Sequence, residues 1–364
     1  MSQSPRGILQ NFATHKSIQY VTHPNKLSSD LKSIDKNLFG ALSTLLKVVT
    51  KNWGEDNARI PTKKEYVKYM QNYKSRALVD FDTGIVTVET IDNKNPKKSL
   101  KNAIVTTLLL PGDPRSADLF GAKEIKLGET PYLLGEVQDD QHKNIRYSWR
   151  ANRYADVLLK NSYKSKILKK NGKNEVVHFV SIPMLKDHAD VRVKKFKPYV
   201  KKYAKKFGVS ENLVYAIIKT ESNFNQFALS RAGALGLMQI VPSSAGKDAY
   251  REARGKSWTP SKEYLLDAQN NIELGVVYLS IIDKKYLTGI VNPISREYCT
   301  ISAYNTGSGN VLKTFHSDRE SAKEIINSKT PSLVYGKLRS SLPYEETRRY
   351  LKKVVDFKKD FVNL

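Results

Sequence analysis

The periodicity of the apolar residues changes near residue 190, and this change predicts an α+β half followed by a helical half. In the first half, apolar runs at 78–81 and 85–91 flank the turn sequence Asp82-Thr83-Gly84. Such a pattern is typical of a β-hairpin with one buried face. After Val191, apolar residues recur every three or four positions to the C-terminus, as in amphipathic helices.

The same patterns predict the individual elements. In the first half we expect helices at 38–49, 99–110 and 151–160, strands at 132–137 and 176–182, and an exposed connection at 164–174. In the second half we expect a helix that ends at Gly208, a helix capped by Ser210, a third after Asp267, and others at 295–304, 319–326, 331–338 and 344–361. A chain of 364 residues can hold two such domains, which we place at 1–190 and 191–364.

The formal charge of +25 indicates an anionic partner. Nucleic acid, a lipid surface and an acidic polymer such as the bacterial cell wall all fit, and charge does not choose among them. Eight Lys or Arg lie between Arg192 and Lys206 with no acid, a run that favours a solvated helix face over a polyanion-binding strip.

Cysteine and histidine usage argues against redox or metal chemistry. Cys299 is the single cysteine, which excludes an internal disulfide, and its apolar helical surroundings predict a buried, inert thiol. The six His residues are scattered, and neither a metal-ligand spacing nor a Gly-rich phosphate loop is present. We therefore expect neither a metal nor a cofactor.

Glu221 is the strongest candidate for chemistry. It closes the second helix of the C-terminal half, where the negative end of the helix dipole and apolar neighbours disfavour ionisation of its carboxyl. A carboxyl that keeps its proton can act as a general acid. Taken alone, however, a glutamate at a helix end is most often an ordinary surface residue.

Four segments in order change this interpretation. Together they resemble the motif set of the family 1 lytic transglycosylases, which share a goose-type lysozyme-like fold. The segments are Glu221-Ser222 with Asn225 and Ser230, then residues 236–239, then residues 303–307, and then residues 346–350. Four further segments resemble the membrane-bound members of this family, so the resemblance covers nearly the whole chain. These segments are residues 52–54, 89–91, 158–161 and 245–248. Thr306 departs from the resemblance, because many members have glycine there.

The resemblance implies an enzyme that cleaves peptidoglycan glycan strands between N-acetylmuramic acid (MurNAc) and N-acetylglucosamine (GlcNAc), with Glu221 as the one acid/base. The muramic 6-hydroxyl would close onto C1 and leave 1,6-anhydromuramic ends, with no role for nucleic acid. It further implies that Tyr304 lies near Glu221 and that Asn305 and Tyr350 shape the pocket. The residues it assigns to the sugar are Ser230, Met238 and Gln239.

The resemblance also bears on location. Membrane-bound members carry a signal and an acylated cysteine near the N-terminus, whereas here no Cys precedes Cys299 and residues 1–10 lack the apolar core of a secretory signal. Without the resemblance, these features fit a cytosolic protein or a missing targeting segment. With it, we expect a removed leader and a periplasmic enzyme associated with the outer membrane; the competing interpretation is a soluble relative.

Two alternative functions stay open at this point. One is a goose-type lysozyme that hydrolyses the same bond, and the other is a noncatalytic protein that binds cell wall or nucleic acid through its basic surface. No Asp or Glu occurs from Ser222 to Lys247, which favours a single carboxylate, because glycosidases that admit water usually pair two. A remote acid such as Asp248, Glu273 or Asp283 could still fold back into the cleft.

Overall fold

The computed structural model describes residues 36–113, 118–170, 172–230 and 232–362. The expectations about residues 1–10 and a leader lie outside this range. The described residues group into two compact units. The first comprises residues up to Lys195 together with Ser222–Ser243 and Ser261–Ala268, and the second comprises Phe196–Glu221, Ser244–Pro260 and the residues after Ala268. The boundary at residue 190 stays a prediction.

The first unit contains an antiparallel sheet and helices. Its elements are α1 (Lys36–Trp53), β1 (Glu65–Met70), β2 (Ser75–Asp80), β3 (Ile85–Thr90), α2 (Pro96–Leu108), α3 (Ser148–Asn161), β4 (Lys164–Lys170), β5 (Lys173–Pro183) and the start of α4 (His188–Phe207). The strand order is β1-β2-β3-β5-β4, with every neighbouring pair antiparallel. The predicted helices near 38–49, 99–110 and 151–160 and the strand at 176–182 are confirmed.

The predicted hairpin is also confirmed, in the register Val79↔Val86. Its turn is held by Asp80, whose carboxylate accepts hydrogen bonds from the backbone N–H groups of Asp82 and Thr83 at 2.9 and 3.1 Å. Gly84 completes the turn with φ +67°, a conformation that glycine adopts without strain. A Cβ at Gly84 would also lie 2.9 Å from His188 Nε2, so the close approach of α4 requires glycine here.

Two predictions for the first half are wrong. Residues 132–137 form consecutive turns instead of a strand, because Gly135 takes φ +82° and the chain folds back through hydrogen bonds such as Leu134 N–H to Pro131 O. Residues 164–174 were expected to be a connection or an exposed tip, but most of them are paired in the β4–β5 hairpin. The polar composition of β4 reflects its place at the edge of the sheet, where only Leu168 is buried and lysines face solvent.

The second unit is helical. The short α7 (Lys262–Leu266) belongs to the first unit. The elements of the second unit are the remainder of α4, α5 (Glu211–Ser222), α6 (Lys247–Arg254), α8 (Ala268–Ile281), α9 (Pro293–Thr306), α10 (Ser308–Lys313), α11 (Arg319–Asn327), α12 (Pro331–Ser341) and α13 (Glu345–Lys358). The expected helices of the C-terminal half are therefore confirmed. Gly208 ends α4 with φ +63°, as predicted for a helix C-terminus.

The basic run of α4 is only partly a solvated face. Lys194, Lys201, Lys202 and Lys205 are exposed, as expected. Arg192, in contrast, is 1% exposed and pairs with Glu136, also buried, with 3.0 Å between Nε and Oε2. The basic run therefore combines solvated lysines with a residue that has a structural role in the interior.

Asp139 provides a test of the first unit's stability. Burial disfavours its charged form, but hydrogen bonds from the Lys143 backbone N–H and from Arg150 and Arg153 outweigh burial and hold the pKa of Asp139 at about 2. Because the unfolded-state pKa is about 3.9, its stabilising contribution is complete above that pH and is lost as the pH falls towards 2. We expect Asp139→Asn to lower Tm at pH 7, and the difference from wild type to shrink between about pH 4 and 2.

Calorimetry across this pH range measures both effects. Asp156→Asn is the control, because Asp156 forms an exposed ion pair with Lys101 and its loss should barely change Tm. A difference between Asp139→Asn and wild type that stays constant from pH 7 to 2 would contradict the assignment.

Candidate active site

Glu221 lies in the last turn of α5 and is 5% exposed. Its helix is anchored by an apolar face on which Leu213, Val214 and Ile217 are buried. Burial of these apolar side chains holds α5 in the interior, and Glu221 therefore lies at a helix end that is itself buried. The site starts from this buried acid.

Two tyrosines of the second unit share the surroundings of Glu221. Burial raises the pKa of Tyr304 on α9 well above its ordinary value, and the negative charge of Glu221 raises it further. The pKa of Tyr350 on α13 is raised in the same way, first by burial and then by the charge of Glu221 and a polar interaction with it. Among the described residues the Tyr350 hydroxyl has no partner with ordinary hydrogen-bond geometry. Both phenols therefore keep their protons at neutral pH and can donate a hydrogen bond to the carboxylate or to a ligand.

Asn305 follows Tyr304 and joins two of the helices. Its side-chain oxygen accepts a hydrogen bond from the hydroxyl of Thr347 on α13 at 2.6 Å. Thr347 is buried one helical turn before Tyr350, so this bond sets α9 and α13 relative to each other at the level of both tyrosines. The sequence analysis did not single out Thr347, although it lies inside the fourth motif.

Ser230 and Gln239 lie in the first unit, in the loop after α5. The Ser230 hydroxyl oxygen accepts hydrogen bonds from the backbone N–H groups of Ala232 and Ala234, at 3.2 and 2.9 Å, and so shapes its own turn. Gln239 has φ +50° and donates its amide to the carbonyls of Ala228 and Gly236, at 3.2 and 2.9 Å. The amide oxygen of Gln239 is buried without a hydrogen-bond partner among the described residues, so its capacity to accept a hydrogen bond is unused there.

Met238 precedes Gln239 and is fully buried. On the same loop, Ser222 donates its hydroxyl to the carbonyl of Leu237 at 2.8 Å and ties the end of α5 to the glutamine motif. Asn225, which the sequence singled out only by resemblance, donates to the carbonyls of Thr62 and Lys63 at 3.4 and 3.3 Å. The motif loop is thus fastened to the residues that lead into β1.

Several other features of the described residues bear on function. Cys299 is buried as predicted, and burial raises the pKa of its thiol to about 12, which makes it a poor nucleophile. The part of the chain that the structure describes contains no cluster of three or more His, Cys, Asp or Glu that could hold a metal ion. None of its helices combines the length and apolarity needed to cross a bilayer.

The Thr347–Asn305 hydrogen bond allows a matched stability test. Thr347→Val preserves shape but leaves the Asn305 oxygen without this donor, and we expect it to lower the free energy of unfolding by about 1–2 kcal/mol. Thr300→Val is the control, since the Thr300 hydroxyl is buried with no partner among the described residues and its removal should be neutral or stabilising. Urea titrations of the two variants measure the difference; equal effects would contradict a specific role for the Thr347 bond.

Comparison with known proteins covers both units. Residues 31–195 match the family described as "Membrane-bound lytic murein transglycosylase C, N-terminal domain", and residues 198–327 match the "Transglycosylase SLT domain" family. Proteins named membrane-bound lytic murein transglycosylase C from Yersinia pestis and Yersinia pseudotuberculosis are each 44% identical over 310 residues, which is 85% of this chain and 85% of theirs.

A solved structure also matches part of the chain. It is an inactive mutant of the lytic transglycosylase Slt from Pseudomonas aeruginosa, 26% identical, with a TM-score of 0.35 over 44% of this chain and 23% of that one. The matches in sequence span the sheet-bearing part and the helical part alike. This chain belongs to the membrane-bound lytic murein transglycosylase C family.

Proposed function

We propose that this chain cleaves the β-1,4 bond between MurNAc and GlcNAc in peptidoglycan, and that Glu221 is its single acid/base. The observation that carries the proposal is a carboxyl 5% exposed at the end of α5 whose charge acts on two buried phenols, Tyr304 and Tyr350. The relatives' names, lytic murein transglycosylase, support the substrate and the reaction class.

The reaction needs one proton carrier. Glu221 gives its proton to the glycosidic oxygen, so that the bond from this oxygen to C1 of the muramic residue breaks and GlcNAc leaves with a free 4-hydroxyl. The carboxylate then takes the proton of the muramic 6-hydroxyl, whose oxygen bonds to C1. The product carries a 1,6-anhydro ring, no water is consumed, and Glu221 regains its proton.

The acids of the second unit support a single carboxylate. Asp248, Glu273 and Asp283 were the remote residues that could have provided a second one. Each is paired with an arginine of its own unit: Asp248 with Arg251 at 3.1 Å, Glu273 with Arg254 at 2.5 Å and Asp283 with Arg296 at 2.8 Å. Their charges are engaged by these arginines, which argues against a partner acid that would recruit water, as in a lysozyme.

The remaining site residues have proposed binding roles. Gln239 offers its buried, unpartnered amide oxygen to an N–H or hydroxyl of the sugar, and Met238 supports this subsite from the interior. The Ser230 hydroxyl, whose oxygen already accepts two backbone N–H groups, retains its proton to donate towards the muramic N-acetyl group. Tyr304 and Tyr350 donate near the carboxylate, and Asn305 shapes the pocket through Thr347.

The proposed location follows from the substrate and the relatives. Murein lies outside the cytoplasmic membrane, and the relatives are named as membrane-bound. We therefore propose that the enzyme works in the periplasm in association with the outer membrane. The net charge of +25 would favour contact with the anionic cell wall, and no nucleic acid is required.

Replacement of the acid tests the catalytic role directly. We expect Glu221→Gln to fold normally and to lose turnover of purified sacculi by about 10²- to 10⁴-fold, because the amide can neither give nor accept the proton. Glu211→Gln, at the opposite end of the same helix, should keep wild-type turnover. More than about a tenth of wild-type turnover in Glu221→Gln would remove Glu221 from this role.

Mass spectrometry of the digestion products separates the proposed function from its alternatives. Intramolecular closure yields muropeptides one water lighter than the reducing muropeptides that hydrolysis releases. Reducing ends alone would identify a goose-type lysozyme activity instead. A noncatalytic nucleic-acid binder would release no product, and its binding would weaken steeply with salt while Glu221→Gln changed nothing.

A further inference from the structure

Arg192, in the first part of α4, is a buried arginine with an unusual set of contacts. Besides the 3.0 Å pair with Glu136, the guanidinium donates to the backbone carbonyls of Asn223 at 3.1 Å and Phe81 at 3.4 Å. The remaining contact is with His188, whose Nδ1 lies 2.7 Å from an Arg192 terminal nitrogen. Burial and the charge of Arg192 lower the pKa of His188, so His188 is neutral and accepts this hydrogen bond.

Glu136 holds the arginine in place. Its second carboxylate oxygen lies 2.6 Å from Lys195 Nζ, one helical turn after Arg192, and Lys195 also donates to the carbonyl of Tyr132 at 2.7 Å. The guanidinium stacks over the ring of Phe81, 4.3 Å from its centroid. A buried guanidinium fixed on so many sides is a rigid donor. Glu136 would still have Lys195 as a partner without Arg192, whereas removal of Glu136 would leave the buried charge of Arg192 without its carboxylate.

The acceptor Asn223 is the second residue after Glu221. Asn223 and Phe224 have φ values of +48° and +60°, a left-handed conformation that asparagine tolerates but that strains the backbone at phenylalanine. The Asn223 side chain donates to the carbonyl of Phe81 at 3.2 Å and to the Asp82 carboxylate at 2.9 Å. Arg192 and the β2–β3 turn thus hold both the main chain and the side chain of Asn223.

This left-handed turn ends α5 directly after the helical turn that carries Glu221. The last carbonyls of a helix have no partner within the helix, so the final turn is free to fray unless other groups hold the residues that come next. We propose that Arg192, held by Glu136, is a positioning residue: it locks the strained turn at Asn223 and so fixes the direction of the Glu221 carboxyl. The proposal rests on the role of Glu221 given above.

The test compares two buried arginines of the first unit. Arg192→Gln removes the clamp, and Asn223→Gly removes the side-chain bonds of the turn while allowing its left-handed backbone. Arg76→Gln is the matched control: Arg76 is also buried and pairs with Glu89, but its carbonyl contact is to Asn57, far along the chain from Glu221. Kinetics on soluble, uncrosslinked glycan strands are measured below the unfolding transition of every variant.

We expect kcat to fall about 10- to 100-fold in Arg192→Gln and Asn223→Gly, with KM within about twofold of wild type, because a misplaced carboxyl affects the chemical step more than binding. Arg76→Gln should lose comparable stability and keep its kcat. If Arg192→Gln does not fold, Arg192→Lys decides, because lysine keeps a positive charge beside Glu136 but lacks the forked donor that reaches the Asn223 carbonyl. Wild-type kcat in both Arg192→Gln and Asn223→Gly, or an equal loss in Arg76→Gln, would overturn the positioning role. A fully active Glu221→Gln would instead overturn the proposed function.

Discussion

The strained turn after Glu221 is kept in place by hydrogen bonds from residues distant in sequence. Asn223 is held by Arg192 and by Phe81 on the β2–β3 turn, and Asn225 is held by the carbonyls of Thr62 and Lys63. A left-handed pair of non-glycine residues persists only where the surroundings compensate its cost. The turn that follows Glu221 in the chain therefore depends on partners in the sheet-bearing part.

This dependence gives the N-terminal half a physical role. Residues Ser222–Ser243, which include the glutamine motif, belong to the same compact unit as the sheet. Phe227 shows why, because its ring packs against Tyr66 of β1 and Tyr132, with centroids 5.0 and 4.9 Å apart. Without the sheet, the loop that carries Ser230 and Gln239 would lose both its apolar support and the partners of its backbone.

The second unit contains Glu221 and the tyrosines near it. Its helices bring Tyr304 and Tyr350 to Glu221, and arginines of this unit pair with Asp248, Glu273 and Asp283. Burial keeps the phenols protonated, so they can donate hydrogen bonds, and the proposed role of Glu221 leaves the proton transfer to its carboxyl. This arrangement agrees with a reaction in which the substrate's own hydroxyl replaces water.

The sequence by itself determined the helices and the central hairpin, because apolar periodicity and turn residues act over a few neighbouring positions. It also identified Glu221 and the motif order, since those residues are read directly from the chain. The predictions from sequence were wrong for residues 132–137, where Gly135 adopts a turn conformation, and for residues 164–174, where pairing with β5 forms an edge strand. Only the tertiary structure showed that Arg192 is buried, that Thr347 holds Asn305 and that the loop after α5 joins the sheet, because these depend on partners tens of residues or more apart in sequence.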